Sequence, residues 1–314
     1  INSLISVKLV SIVFDYICAF EMAQIVTNLF KDNKNKELYS ILTYGIVLFL
    51  PTVILNSSYW GQADSIYTAF ILISLKKLIE KKYLKAFIFL GVSFAFKLQF
   101  IFILPLYIVY YISERKFPIY YFLIIPIVNI IMCIPAIIFG KSIYSCMTVY
   151  ANQTTEWGQY ISMNFPGIWN LLFKVHENNY VMTPNGNITK VGILITIFIY
   201  AVIAIIIFYK KIKFEKQKII EFALWSIMIA TFFLPNMHDR YLYMADILSI
   251  LYFIYNKDKI YIPVGVSLIS LYTYSVYLFK NTLIPIQYVS LLNFILIIII
   301  TKDIIFKYFK EKTI

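Results

Sequence analysis

The fold of this chain is decided by one polar stretch, Asn56-Ser-Ser-Tyr-Trp-Gly-Gln-Ala-Asp-Ser-Ile-Tyr67, which separates two apolar segments. The stretch has no lysine or arginine, but it holds a carboxylate, two amides and large aromatic rings. If it continues as a helix, Trp60, Asp64 and Tyr67 share one face. A carboxylate where a helix enters a membrane is costly unless it faces a wet cavity, so Asp64 is a candidate site residue. The alternative interpretation is an ordinary hydrophilic loop.

The composition on both sides of this stretch is that of a membrane protein. Of the 314 residues, 61% are hydrophobic and only 14% are charged, whereas a soluble domain has about 25% charged residues. Apolar runs follow one another along the whole length. We therefore predict an all-α polytopic membrane protein, a single transmembrane domain over residues 1–314 with about eleven spans.

The net charge of +12 does not indicate nucleic-acid binding. The lysines lie in short clusters at the ends of apolar runs, where they contact lipid headgroups and set orientation, so membrane lipids are the expected partners. The three cysteines form no pattern that would predict a disulfide framework.

The lysine clusters also predict the orientation in the cell membrane. Lysine-rich loops at 31–37, 76–85, 113–116, 210–218 and 256–259, with the basic C-terminal tail, are placed in the cytoplasm. The lysine-poor segments then lie outside, including a large extracytoplasmic loop at 140–190 and the candidate active site. The chain begins with Ile and an opening segment too charged for a signal peptide. We therefore expect that the native N-terminal span and first external loop are missing.

A second polar stretch, Pro235-Asn-Met-His-Asp-Arg-Tyr241, holds the only arginine predicted to lie outside. Arginine suits bidentate phosphate binding, and His238 could donate to a phosphate oxygen or move a proton. A helix starting near Met237 would present Asp239, Tyr243 and Asp246 together. In that helix Asp239 could instead only complement the helix dipole.

Lys97-Leu-Gln99 interrupts another apolar run. We predict two short helices that meet at Lys97, because a single helix would reverse the orientation of all later loops. The ammonium of Lys97 could pair with a phosphate, or it could be a lysine extending to the interface from a helix end. No nucleotide-binding motif is present.

Three stretches together resemble one protein family. They are Asn56 to Thr68, Phe94-Ala-Phe-Lys-Leu-Gln99 with Leu104-Pro-Leu106, and Phe233-Leu-Pro-Asn-Met-His-Asp-Arg-Tyr-Leu-Tyr243. In this order they resemble the bacterial integral-membrane glycosyltransferases related to the GPI mannosyltransferase that adds the second mannose. These enzymes have the GT-C fold. The resemblance covers almost the whole chain.

The resemblance implies that a mannose-like hexose is transferred, with inversion, from a polyprenyl-phosphate-sugar donor to a hydroxyl of a glycan or lipid acceptor. No cofactor is certain, and a divalent metal stays open. The family's essential acidic residue lies in a first external loop, which here would precede Ile1. The expected catalytic residues are Asp64, His238 and Asp239. The expected substrate-binding residues are Trp60, Gln62, Tyr67, Lys97, Gln99, Arg240 and Tyr241.

Within these sets the expected roles differ. Asp64 would position donor or acceptor, or act as a base, while Asp239 would orient His238 or Arg240, or bind a metal. Lys97, Arg240 and His238 would contact the lipid phosphate, and Trp60 and Tyr67 would stack on sugar or prenyl chain. Two alternatives stay open, a flippase or transporter of lipid-linked saccharides and a polysaccharide polymerase.

Overall fold

The computed structural model describes residues 3–156 and 158–310, and about 77% of the chain is helical. In those ranges the α-helices are α1 (Ser3–Leu29), α2 (Lys36–Leu48), α3 (Pro51–Ile54), α4 (Asp64–Ile79), α5 (Tyr83–Phe96), α6 (Leu104–Glu114), α7 (Ile124–Ile138), α8 (Ile143–Glu156), α9 (Trp169–Leu172), α10 (Gly186–Lys210), α11 (Lys216–Phe233), α12 (Tyr243–Tyr255), α13 (Tyr261–Phe279) and α14 (Ile286–Lys310). A π-helix spans Leu55–Trp60, and 3₁₀ turns span Leu98–Phe102, Ile119–Leu123 and Glu177–Asn179.

Several helices are long and apolar enough to cross a membrane, as the composition predicted. Among the described residues there are five, Leu4–Leu29, Ile119–Ile138, Gly186–Lys210, Tyr261–Phe279 and Ile286–Lys307. The pair Lys36–Leu48 and Pro51–Trp60, bent by 45°, could form a sixth. The expectation of a mainly helical protein with several segments long and apolar enough to cross a membrane is confirmed, and the number of about eleven spans stays a prediction.

The chain forms two compact units. The first contains α1–α5, α7 and α8. In it α1 packs on α2 and α4, α4 packs on α5, and α5 packs on α7. Gly91 permits the last contact, because a Cβ atom there would lie 2.8 Å from the Cβ of Val128. The apolar run around Lys97 is divided as expected, since α5 ends at Phe96 and Lys97 is extended.

The second unit contains α6 and α9–α14. Helix α11 is buried along most of its length and packs on α12 and α14. A charged and polar side-chain cluster links the helices at one end of this bundle. Glu221 of α11 accepts hydrogen bonds from Lys307 of α14 at 2.5 Å and from the Asn256 amide at 3.1 Å. A buried carboxylate needs such partners to offset its desolvation.

Residues 140–190, predicted as a polar loop, contain α8, α9 and two strands. Strand β1 (Tyr160–Met163) pairs antiparallel with β2 (Tyr180–Met182) and parallel with β3 (Met237–His238), so the order is β2-β1-β3. The sheet packs on Trp169, whose indole N–H donates to the carbonyl of Leu234 at 3.0 Å. Trp157, also predicted to lie outside, falls outside the described residues.

Candidate functional sites

Two polar centres hold most of the residues predicted from the sequence. The first, in the first unit, we call the Asp64 centre; it comprises Asp15, Asn56, Ser57, Asp64 and Lys97. The second, in the second unit, we call the His238 loop; it comprises residues 236–241. Each is described by itself.

The polar stretch 56–67, which contributes three residues to the Asp64 centre, is not one regular α-helix. Residues Leu55–Trp60 are a π-helix, a rare form that is frequent at functional sites. It ends at Gly61, whose φ of +78° suits glycine. A Cβ atom at Gly61 would lie 3.3 Å from Cγ of Lys8, so a side chain there would also crowd α1. Helix α4 then begins at Asp64, where a carboxylate complements the helix dipole.

The break at Gly61 corrects one expectation. Trp60 lies on the π-helix and Asp64 on α4, so they do not share the face of one helix as the spacing suggested. Of the three residues, only Asp64 and Tyr67 lie on the same helix, α4, three positions apart. Trp60 and Gln62 are half-buried, and their predicted substrate contacts stay predictions.

Asp64 is fully buried and held from two sides. The Asn56 amide donates to its Oδ2 at 3.1 Å, and Lys97 forms an ion pair with Oδ1. The lysine side chain stays 20% exposed while the carboxylate is 0% exposed. Lys97 is therefore the partly exposed side chain of this pair, and Asp64 fixes the position of its ammonium.

Two further predicted residues lie beside Lys97. Tyr67 is fully buried, and the Lys97 ammonium lies 5.5 Å from its ring centroid, within cation–π range. Gln99 is buried in the 3₁₀ turn after Lys97, and its Oε1 has no hydrogen-bond donor among the described residues. A buried carbonyl without a donor is destabilising by about 1–3 kcal/mol, and a ligand hydroxyl could supply that donor.

Asp15 belongs to this centre, although the sequence analysis did not select it. It lies near the middle of α1, is 5% exposed, and accepts a hydrogen bond from Ser57 at 2.8 Å. Ser57 and Asn56 are consecutive π-helix residues, so each anchors one buried carboxylate. The signal was present in the sequence as a row of polar residues at helical spacing, namely Lys8, Ser11, Asp15 and Cys18.

That row faces the polar stretch along α1. The Ser65 hydroxyl donates to the Ser11 carbonyl at 2.9 Å, and the Cys18 thiol donates to the Ser65 carbonyl at 3.4 Å. The row continues to Glu21, which forms an ion pair with Lys76. A polar seam therefore follows α1 through a segment that is otherwise apolar enough to span a membrane.

The His238 loop is attached to the small sheet. Asn236 has a φ of +58°, a conformation that asparagine tolerates better than most residues. Its backbone N–H donates to the Ile161 carbonyl at 2.7 Å, and its amide donates to the Tyr160 carbonyl at 2.6 Å. Strand β3 follows and aligns His238 with Met163. The backbone is thus fixed before the charged residues begin.

The charged side chains of the loop lie at its far end. Asp239 is buried, and its backbone carbonyl accepts from Thr273 of α13 at 2.7 Å. Arg240 is half-buried, and its guanidinium lies 3.8 Å from an Asp239 oxygen. The His238 ring lies 5.4 Å from the Tyr241 ring. The loop therefore holds three half-buried side chains, His238, Arg240 and Tyr241, and one buried carboxylate beside Arg240.

The loop differs from the helix that the spacing suggested. Met237 and His238 are a strand, and α12 begins only at Tyr243. Asp239 therefore does not share a helical face with Tyr243 and Asp246. Asp246 is fully buried inside the bundle and accepts from Ser270 at 3.0 Å.

The negative charge of Asp239 affects the pKa of a tyrosine on the neighbouring strand. Burial raises the pKa of Tyr180 in β2 above its ordinary value, and the negative charge of Asp239 raises that pKa further. Arg240 acts in the opposite direction. Tyr180 also lines a small cavity with Asn164 and Lys280, with a volume of about 60 Å³.

In the described ranges no group of three or more His, Cys, Asp or Glu side chains could hold a metal ion. Comparison with known proteins gives no match, since no family model, curated protein or solved structure is significantly similar to the chain.

Proposed function

We propose that the chain is an integral-membrane glycosyltransferase of the GT-C type, which moves a mannose-like hexose from a polyprenyl-phosphate donor to an acceptor hydroxyl. In this proposal the protein has about eleven spans and an extracytoplasmic site. The observation that carries the proposal is the pairing of Lys97 with Asp64. It joins two of the three stretches that resemble the family at one buried carboxylate.

The chemistry requires a proton acceptor and cations near the leaving group. A general base takes the proton of the acceptor hydroxyl, the new bond forms at C1 of the sugar, and the bond between C1 and the phosphate oxygen breaks. The departing polyprenyl phosphate gains negative charge, which preorganised donors stabilise. Arg240 and His238 suit that task because both are half-buried and hydrogen-bond donors.

The two carboxylates have different roles in this proposal. Asp64 is fully buried and paired, so it positions Lys97 for an anionic group of the substrate. Asp239 lies against Arg240 and orients the guanidinium. The side-chain carbonyl of Gln99 accepts a hydrogen bond from a hydroxyl of the bound ligand.

The direct test uses membranes that contain the protein and radiolabelled polyprenyl-phosphate mannose. We expect label to move into a glycan or glycolipid fraction, with release of polyprenyl phosphate. Asp64→Asn, which keeps the shape and the Asn56 contact but loses the charge, should abolish transfer when rates are compared at equal amounts of folded protein. Transfer by Asp64→Asn at the wild-type rate would contradict the role of this centre.

The proposed orientation has its own test. Reporter fusions at Lys34 and at Thr183 should report opposite sides of the membrane, with Lys34 in the cytoplasm. Signals from the same side would contradict the orientation without bearing on the sugar chemistry.

A transporter of lipid-linked saccharides is the second candidate, and the polar seam on α1 is what favours it. A pathway through a membrane needs polar groups at successive depths, and the seam from Lys8 to Glu21 supplies them. Vesicles loaded on one side with labelled lipid-linked sugar distinguish the two functions. A transporter moves the label across intact, whereas a transferase separates the sugar from its lipid.

A further inference from the structure

The second unit has an apolar groove that the proposed reaction does not use. It has a volume of about 450 Å³ and lies on α10, α11 and α14. Its lining contains one charged residue, Lys302. The others are Thr301 and apolar residues that include Trp225, Phe233, Phe294, Ile298 and Phe306.

The groove has the length and direction of a lipid chain. Its α14 residues run from Phe294 to Phe306, which is about 18 Å along a helix at 1.5 Å per residue. Both α10 and α14 contain segments long and apolar enough to span a membrane. A groove along such helices is adjacent to acyl chains.

One end of the groove is positively charged. The neighbouring lysines at this end are paired with carboxylates, Lys259 with Asp303 and Lys307 with Glu221. Lys302 is exposed and lies 5.6 Å from the ring of Phe306, and it forms no ion pair with a carboxylate of the described residues. Its charge is therefore available to an anion at the mouth of the groove.

We propose that this groove is a binding site for an acidic phospholipid. One acyl chain lies between α11 and α14, and the headgroup phosphate contacts Lys302. The headgroup end of the groove, at Lys302, lies along α14 away from Asn293, whose amide donates to the Pro166 carbonyl at 2.9 Å. It is independent of the proposed sugar transfer, because none of its residues belongs to either polar centre.

Two pairs of variants separate headgroup binding from chain binding. Lys302→Ala removes the cation, and Lys280→Ala is its matched control, because Lys280 is also exposed and lies 5.0 Å from an aromatic ring, that of Tyr277. Ile298→Trp fills the groove, and Ile295→Trp is its control. Ile295 is similarly exposed on α14 but does not line the groove.

The measurement is the retention of phosphatidylglycerol and phosphatidylcholine, supplied as an equimolar mixture, by the purified full chain in native mass spectrometry. The wild type should retain phosphatidylglycerol with a preference of about fivefold, the factor expected for one lysine beside an anionic headgroup. Lys302→Ala should lose the preference and Lys280→Ala should keep it. Ile298→Trp should lose bound lipid of both kinds, and Ile295→Trp should not.

Equal retention of the two lipids by the wild type would overturn the proposal. So would an unchanged preference in Lys302→Ala. If Ile298→Trp fails to fold, the two lysine variants decide the question by themselves, since both change only exposed side chains. Each measurement can be made without any glycosyl acceptor.

Discussion

The Asp64 centre and the His238 loop contain similar charged residues, but different structural elements position them. In the Asp64 centre the charges are inside a helical bundle, and one carboxylate is fully buried against a lysine and an amide. In the His238 loop a small sheet fixes the backbone, and the histidine and arginine stay half-buried. The ion pair of Lys97 with Asp64 is close, whereas the Arg240 guanidinium lies 3.8 Å from Asp239.

Because the two centres differ in this way, mutations in them should have different effects on stability and on activity. A charge whose partner is removed inside a bundle stays desolvated, so stability falls first. The Arg240 guanidinium lies 3.8 Å from Asp239, beyond ordinary hydrogen-bond distance, so its removal should affect folding less than the loss of Lys97. Stability and activity should therefore respond differently at the two centres.

Lys97→Met should have the largest effect on stability. It leaves the Asp64 carboxylate buried without its cation, and breaking such a pair costs about 3–5 kcal/mol. The double variant Lys97→Met with Asp64→Asn removes both charges and should recover most of that loss. Thermal unfolding in detergent measures both. A single variant as stable as the wild type would show that the pair is not buried as described.

Arg240→Ala should lower transfer by about 100-fold, the usual cost of removing one donor to a developing charge. The midpoint of thermal unfolding should fall less than in Lys97→Met, because the Arg240 guanidinium lies farther from its carboxylate, at 3.8 Å from Asp239. Lys280→Ala, which removes an exposed cation outside the loop, is the control and should keep full activity. Equal losses in the two variants would mean that the loop only contributes surface charge.

Ser57→Ala should have a moderate effect on stability. It removes the hydroxyl that donates to Asp15, and a hydrogen bond to a charged group contributes about 1.5–3 kcal/mol. Ser58→Ala is the matched control, because Ser58 is the next π-helix residue and is exposed. Similar unfolding midpoints for the two variants would contradict the placement of Asp15 in the Asp64 centre.

The smallest effect is on the titration of Tyr180. Its pKa is raised in the folded state by burial and by Asp239, so the folded protein keeps the phenol proton at a pH where the unfolded chain loses it. This contribution to stability is complete below the unfolded pKa of about 10, and it is lost as pH rises through the folded pKa.

Asp239→Asn should bring the pKa of Tyr180 closer to its ordinary value, because the second cause of the shift is removed. Carbon-13 NMR of labelled tyrosine, assigned with Tyr180→Phe, follows the titration. Asp258→Asn is a control, since Asp258 is not among the charges that shift this pKa. An unchanged Tyr180 pKa in Asp239→Asn would place Asp239 away from β2.

Local sequence patterns predicted some of these features well. The break at Lys97 could be predicted, because a single helix there would reverse the orientation of all later loops. The polar character of 56–67 and 235–241 marked both centres. The helical faces proposed for them were wrong, because the π-helix, Gly61 and strand β3 replace the regular helices on which the spacing argument depends.

Asp15 shows what such patterns leave out. The place of Asp15 in the Asp64 centre depends on its hydrogen bond from Ser57, which lies 42 residues away along the chain. Spacing within α1 does not reveal a partner on another element. The same holds for the pairing of Glu221 with Lys307, 86 residues apart. Contacts of that kind form only when helices pack.

The sequence by itself determined that this is a helical protein with segments able to cross a membrane, because hydrophobic run length and lysine placement are local properties. It also determined where the polar stretches lie. Only the tertiary structure decided which buried charges meet, that Asp64 holds Lys97 while Asp15 holds Ser57, and that a sheet fixes the His238 loop. Burial makes an unpaired charge costly, so the pairs are chosen by packing and not by order along the chain.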